Sequence, residues 1–410
     1  MKNQLVVAFL VVLFTIMASC SKKVQTLSEG NWRGVFILPG NEIPFSFEVK
    51  EKSPGSLSVI LINGSDRFEL NNVTVQNDSV IIPIDLYSAV FKAKIEGNSL
   101  QGRFIKLGTE KPDTGLIFKG EAGNLPRFAS GGESPAVSLE GSWDMVFGEG
   151  TEGKNYVGSF SQNGINVTGS VLTPSGDFRF LEGIVQGKSF ELSAFGGSTP
   201  YLLKGEFSTD STYTGNFITP RSKTLFSGRR NPNANLPDSY KVTQMKPGNT
   251  SLGFSFPNLD GRQVSLQNEK YKGKVVIVTI LGSWCPNCLD ENAFLAEWYK
   301  KNQERGVEII GLGFERKADF ESGKKSLGAL KNRLNIPYEI LFAGKSGVEN
   351  VSATLPELEG FAAFPTTIFI DKKGNVRKIH SGFNGPATGK FHEEFKAEFN
   401  ALMDELLAES

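Results

Sequence analysis

Residues 274–288 read KVVIVTILGSWCPNC, and the fold is decided by how that stretch ends. Residues 274–281 form a short apolar run, heavy in Val and Ile and bounded by Gly273 and Gly282. That is the pattern of a strand buried on both faces. The run empties through Ser283 and Trp284 into Cys285-Pro286-Asn287-Cys288, and helical periodicity begins at Leu289. Pro286 falls on the first helical position, which needs no backbone N–H and suits the fixed φ of proline. Cys285 is thereby placed at a helix N-terminus and Cys288 one turn inside. Free N–H groups and the positive end of the helix dipole favour a thiolate, so Cys285 is expected to have a depressed pKa. Two cysteines so spaced can bring their sulfurs into bonding range, with Cα atoms about 5.5 Å apart. Cys285 reads as the exposed attacking sulfur and Cys288 as the more buried, resolving one.

The competing reading of such a pair is half a zinc site. Zinc takes four ligands, and the only other candidates are His380 and His392, with no second CxxC. A redox pair without metal is therefore expected, and both histidines read as surface residues. Residues 343–346, AGKS, look like the end of a phosphate loop, but Glu339 stands where its first glycine belongs.

The 410 residues are enough for two or three domains. Basic and acidic residues balance at 44 each, which argues against a nucleic-acid surface. Lys2, an apolar segment at 5–17 and the small pair Ala18-Ser19 before Cys20 read as a secretory signal with its cleavage site. The apolar run is short for a membrane span. Only three cysteines occur. With Cys20 set aside, an exported chain keeps one dithiol and no structural disulfide.

Residues 28–240 carry short alternating segments separated by Gly, Asn, Asp and Pro, the mark of antiparallel β structure. They also repeat, at an offset of about 110 residues. Gly30-Asn31-Trp32 returns as Gly141-Ser142-Trp143, Phe118-Lys119-Gly120 as Phe226-Ser227-Gly228, and Asn124-Leu125-Pro126 as Asn235-Leu236-Pro237. Each copy fits about eight strands in a meander, which can close into a barrel or stack as a sandwich. In the first copy they start near Trp32, Pro44, Leu57, Phe68, Val80, Ala89, Leu100 and Gly115. Beyond the second copy the order is strand–helix–strand–helix–strand–strand–helix. The central strand at 274–281 is followed by a strand at 307–312, a helix at 324–334, a hairpin at 366–381 and a closing helix lined by Phe391, Phe395, Phe399, Leu402 and Leu406. An additional segment of about forty residues precedes Pro365.

From Phe254 to Leu407 the chain resembles the TlpA/ResA-like thioredoxins, membrane-tethered thiol–disulfide oxidoreductases of the bacterial cell envelope. The resemblance rests on Phe256-Pro257-Asn258-Leu259-Asp260-Gly261, Tyr271-Lys272-Gly273-Lys274, Trp284-Cys285-Pro286-Asn287-Cys288 with Glu291, and Phe364-Pro365-Thr366-Thr367 leading to Phe369-Ile370-Asp371. It implies an α/β thioredoxin-like domain behind two antiparallel all-β repeats, whose opening Gly-x-Trp is weakly similar to lipocalin-like barrels. The division expected is a lipoprotein signal peptide (1–19), a tether (20–27), β copy one (28–128), a linker (129–137), β copy two (138–237), a linker (238–250) and the thioredoxin-like domain (251–410).

The resemblance also implies roles. Glu291 lies beside the buried sulfur by helical spacing, and the family carries a Glu there as a proton relay to the resolving thiol. The proline usual two residues later is replaced by Ala293. Pro365 is expected to be cis and to face the CxxC, presenting backbone to an extended substrate segment. Trp284, Pro286, Phe364 and Thr366 would flank the substrate. Ile16-Met17-Ala18-Ser19-Cys20 resembles a bacterial lipobox, with Cys20 acylated and holding the protein on a membrane.

The expected activity is protein disulfide reduction outside the cytoplasm, with the Cys285–Cys288 pair in place of any cofactor. Substrates would be disulfide-bearing envelope proteins, and electrons would come from an upstream envelope donor. Two rivals stand beside it. A peroxiredoxin-like peroxidase shares the fold, but it wants Thr three residues before its reactive Cys, where Gly282 precedes Cys285. The other makes the doubled β region a ligand- or partner-binding module.

Overall fold

The computed structural model describes residues 26–107, 113–148 and 153–409. The expected signal peptide and Cys20 lie outside the described residues. The first eight strands, from Gly30–Leu38 to Leu116–Ala122, pair antiparallel in sequence order, and the first also pairs with the last, Gly34 opposite Gly120. That closing register makes a barrel and leaves no free edge. Its bore is filled by Phe36, Phe45, Phe91, Phe104 and Phe118, all buried. Gly34 makes room there, since a Cβ would overlap the Phe45 ring.

The second copy closes in the same way. Gly141–Phe147 pairs with Lys223–Arg230 and with Lys154–Asn163, which in turn pairs with Asn166–Thr173. The copies also share a device: Trp32 Nε1 donates to Ser28 O and Trp143 Nε1 to Leu139 O, each at 2.9 Å and four residues back. One addition breaks the symmetry. A two-residue strand, Gly176–Asp177, folds back on the end of Asn166–Thr173 and projects from the barrel.

The barrels are joined through a plug. Phe195 follows the Ser189–Ala194 strand of the second barrel, yet its ring lies 4.8 Å from Phe36, 5.1 Å from Phe45 and 5.3 Å from Phe104 of the first. Asn63 pins the backbone there, donating to Phe195 O and accepting from Phe195 N, both at 3.0 Å. The first barrel is therefore stoppered by the chain's own aromatic groups, where the binding-module reading looks for an apolar ligand. Phe195→Ala should cost about 3 kcal/mol, near the low end for a buried aromatic, read by urea unfolding of the full chain. Exposed Leu225, changed to Ala, should stay within about 0.5 kcal/mol.

The C-terminal domain has a five-stranded sheet in the spatial order Glu339–Lys345, Val307–Glu315, Val275–Leu281, Thr366–Ile370, Val376–Ser381. The first three run parallel, and Thr366–Ile370 is antiparallel to both of its neighbours. Four helices pack on it: α1 (Pro286–Asn302), α2 (Phe320–Arg333), α3 (Val348–Thr354) and α4 (Lys390–Ala408). Alternation on the central strand decides which side each covers. Val275, Ile277 and Leu281 share a core with residues of α1, α2 and α4, whereas Val276, Val278 and Ile280 share one with Val351 of α3. The additional segment before Pro365 holds the edge strand Glu339–Lys345 and α3, so the sheet gains a parallel strand that the sequence reading did not place.

Candidate active site

All seven residues of the central strand are buried, and that rigid rod delivers the dithiol. Trp284 turns back to donate from Nε1 to Phe314 O at 3.0 Å. Cys285 is the N-cap of α1, with extended backbone, and its Sγ accepts from Cys288 N–H at 3.2 Å. Pro286 occupies the first turn, where no N–H is wanted. On its other side the Cys285 sulfur lies 3.5 Å from Phe364 O, to which the thiol can donate. The Phe364–Pro365 peptide bond is cis, and Gly382 N–H donates to Pro365 O at 2.8 Å. One sulfur thus sits between a helix mouth and the carbonyl that enters the proline. Half-buried Phe364 places its ring 5.3 Å from Trp284 and 5.3 Å from Phe361. Thr366 is turned inward, fully buried, with Oγ1 donating to Ala363 O at 2.8 Å.

Cys288 has no exposed surface. Burial, then the hydrogen bond and charge of Cys285, push its thiol well above the usual range, and the Glu291 carboxylate adds to this. Glu291, three residues on, is 1% exposed. Thr279 donates to its Oε2 at 2.6 Å and Thr367 to its Oε1 at 2.7 Å. Burial raises its pKa to about 7, with the two threonines holding it from going higher. A carboxyl poised near neutrality beside a reluctant thiol is what proton exchange between them requires. Asn292 completes this layer, donating to Cys288 O at 2.8 Å and accepting from Tyr338 OH at 2.8 Å.

Three residues of this arrangement escaped the sequence reading. Thr279 and Thr367 stand opposite each other in the antiparallel register of their strands, and both aim at Glu291. Their signal was a hydroxyl in each of two otherwise apolar runs. Glu315, buried at the end of Val307–Glu315, accepts from Ser283 N at 2.8 Å and Ser283 Oγ at 2.9 Å. It fixes the turn that aims Trp284 and Cys285.

Two expectations are corrected. Cys285 is not the exposed sulfur: it is 5% exposed, set between the start of α1 and Phe364, with a hairpin of the second barrel against the neighbouring Asn287. The histidines are not on the surface either. His380 is buried between Tyr240 and Phe395, at 4.9 and 5.2 Å between ring centres, with Nδ1 3.0 Å from Gly382 O. Burial lowers its pKa to about 4. His392 is likewise buried, with Nδ1 2.8 Å from Asn384 O. Both are held by loop carbonyls next to aromatic side chains. Among the described residues no group of three or more His, Cys, Asp or Glu is arranged to hold a metal ion.

Residues 247–379 match the model of the AhpC/TSA family. A similar protein, "Thiol-disulfide oxidoreductase ResA" of Geobacillus thermodenitrificans, is 30% identical over 140 residues, 34% of this chain and 72% of that protein. "Thiol:disulfide interchange protein DsbE" of Pseudomonas fluorescens biotype C is 29% identical over 168 residues, 41% and 84% of the two chains. Among solved structures, a thioredoxin-family thiol:disulfide interchange protein from Chlorobium tepidum aligns with 39% of this chain and 96% of its own, at 21% identity and a TM-score of 0.29. A thiol-disulfide oxidoreductase from Bacteroides fragilis aligns with 35% and 98%, at 21% identity and a TM-score of 0.27.

Proposed function

The chain belongs to the ResA-like family of thiol–disulfide oxidoreductases, and from that premise we propose a membrane-anchored protein disulfide reductase working outside the cytoplasm, with Cys285 as nucleophile. The observation that carries this is the Cys285 sulfur itself, 3.2 Å from the Cys288 N–H and 3.5 Å from the carbonyl leading into Pro365. Cys285 thiolate attacks one sulfur of a substrate disulfide, forms a mixed disulfide and expels the other substrate sulfur as a thiolate. Cys288 gives its proton to Glu291 and attacks the Cys285 sulfur, expelling the second substrate thiolate. Two electrons pass from the dithiol to the substrate, which takes up two protons, and Cys285–Cys288 remains as a disulfide. An envelope donor then returns two electrons. Trp284, Pro286, Phe364 and Pro365 border the sulfur and would meet the substrate segment, while buried Thr366 would hold the proline loop from behind. Cys20, acylated at the end of the leader, supplies the anchor.

The test is Cys288→Ala. With resolution blocked, substrates should accumulate as mixed disulfides on Cys285, released by dithiothreitol and identified by mass spectrometry. Reduced forms of those partners should disappear from cells lacking the protein if the direction is reduction. Recovery of no Cys285-linked partner from the native envelope would count against the whole reading.

A further inference from the structure

The second barrel reaches across the dithiol. Its hairpin, residues 173–179, is seated between Asn287 of the CPNC turn and the loop at Gly382 to Gly385, whose Gly382 N–H holds Pro365 O. A Cβ on Gly176 would fall inside the Asn287 amide, and one on Gly382 would lie 3.0 Å from Pro174 O. Asp177 Oδ2 accepts from Gly385 N–H at 2.7 Å, and Ser170 Oγ steadies its other oxygen at 3.0 Å. Arg179 then forks onto Asp290 of α1, Nε and Nη2 each 2.8 Å from a carboxylate oxygen, with Asp66 of the first barrel 3.6 Å away. Both Asp177 and Arg179 are buried.

Beside the docked hairpin, Cys285 has little exposed surface from which to react. Thiol–disulfide exchange needs the incoming sulfur about 3–3.5 Å from the attacking one and aligned with it. At 5% exposure, with Gly176 against Asn287, the closed arrangement leaves little room for such an approach. The joint itself is of a kind that can part. The hairpin's own bonds to the C-terminal domain are polar, Asp177 with Gly385 and Arg179 with Asp290, and contacts of that kind between domains commonly allow relative motion, while apolar packing elsewhere, Leu172 and Ala234 with Phe391 among it, keeps the domains together.

We propose that the 173–179 hairpin is a built-in gate. It occupies the channel where a substrate segment must lie, is latched by Arg179–Asp290 and Asp177–Gly385, and lifts before Cys285 can meet a disulfide. This rests on the dithiol chemistry proposed above, but access to Cys285 can be measured without it.

The experiment follows alkylation of Cys285 in the reduced full chain, read on its own peptide by mass spectrometry. Two reagents are compared, iodoacetamide and a maleimide carrying a polyethylene glycol chain of several kilodaltons. Arg179→Ala removes a cation, and by charge alone losing a cation slows a thiol's alkylation rather than speeding it. The gate requires the opposite: about tenfold faster alkylation, corresponding to about 1.4 kcal/mol lost from the closed state, with the larger gain for the bulky reagent. Gly176→Ala carries no charge change and should act in the same direction. Far-UV circular dichroism shows whether it still folds, and Arg179→Ala stands if it does not. Unchanged or slower rates in Arg179→Ala, or equal gains for both reagents, would overturn the gate. A gated cysteine in a protein that captures no substrate would sink the proposed function and leave the gate standing.

Discussion

Serine at position 285 is expected to reduce disulfide turnover on the order of 10^6-fold, the low end of enzymatic accelerations, so the assay should reach its uncatalysed floor. The reason is chemical and local. The attacking species is a thiolate, and an alcohol in its place neither ionises near neutral pH nor forms a bond that a second thiol can exchange. The fold should not suffer. Cys285 caps α1 by accepting from Cys288 N–H, and serine is among the best residues for that task. Loss of activity with an unchanged melting temperature is therefore the expected pair of results, measured as reduction of a cystine-containing peptide and as thermal unfolding. Retention of a tenth of the wild-type rate would move the nucleophile elsewhere.

Much of this site was legible in the chain because it is local. A strand, a turn and a helix start lie in one stretch of 15 residues, and the placing of Cys285 at the helix mouth with Cys288 one turn inside follows from backbone geometry. The eight-strand count of the first β copy could be read from alternation and turn residues, and the observed strands begin within three residues of where that pattern placed them. Barrel closure was a different matter. It depends on Gly34 meeting Gly120, a pairing across most of the repeat that no local pattern encodes. The same holds for Thr279 and Thr367, which become partners of Glu291 only through the register of two strands far apart in sequence. The edge strand Glu339–Lys345 was hidden because its apolar run is only four residues long, too short for periodicity to tell strand from helix. The burial of Cys285 was least accessible of all. A hairpin from another domain docks beside it, against Asn287 and Gly385, and docking between domains leaves little trace in either partner's own pattern. His380 and His392 illustrate the converse: polar residues are read as exposed by default, and flanking phenylalanines overruled that default.

Glu291→Gln should change two properties in opposite directions, and pH should separate them. Glu291 accepts the Cys288 proton only when ionised, so with a pKa of about 7 the wild-type resolving step should climb through neutrality. The glutamine variant has no base there, and resolution should be slower by about 10^2-fold, the lower figure for a positioned general base. The gap should close at alkaline pH, where Cys288 can ionise unaided. Stability should move the other way. The folded pKa lies above the ordinary 4.5 of a glutamate, so the native state binds the proton more tightly than the unfolded chain. The associated stability is fully present below about pH 4.5 and is lost as pH rises through 7. Above that the buried charge costs about 3 kcal/mol, net of the hydrogen bonds from Thr279 and Thr367. Glutamine carries no such charge, so the variant should gain up to about 3 kcal/mol over wild type at pH 8 and little at pH 4. Urea unfolding at the two pH values, beside rapid-mixing measurement of mixed-disulfide resolution, reads both. A stability difference that ignores pH would mean that the carboxyl is not held near neutrality. A resolution rate that ignores the substitution would mean that Cys288 loses its proton by another route.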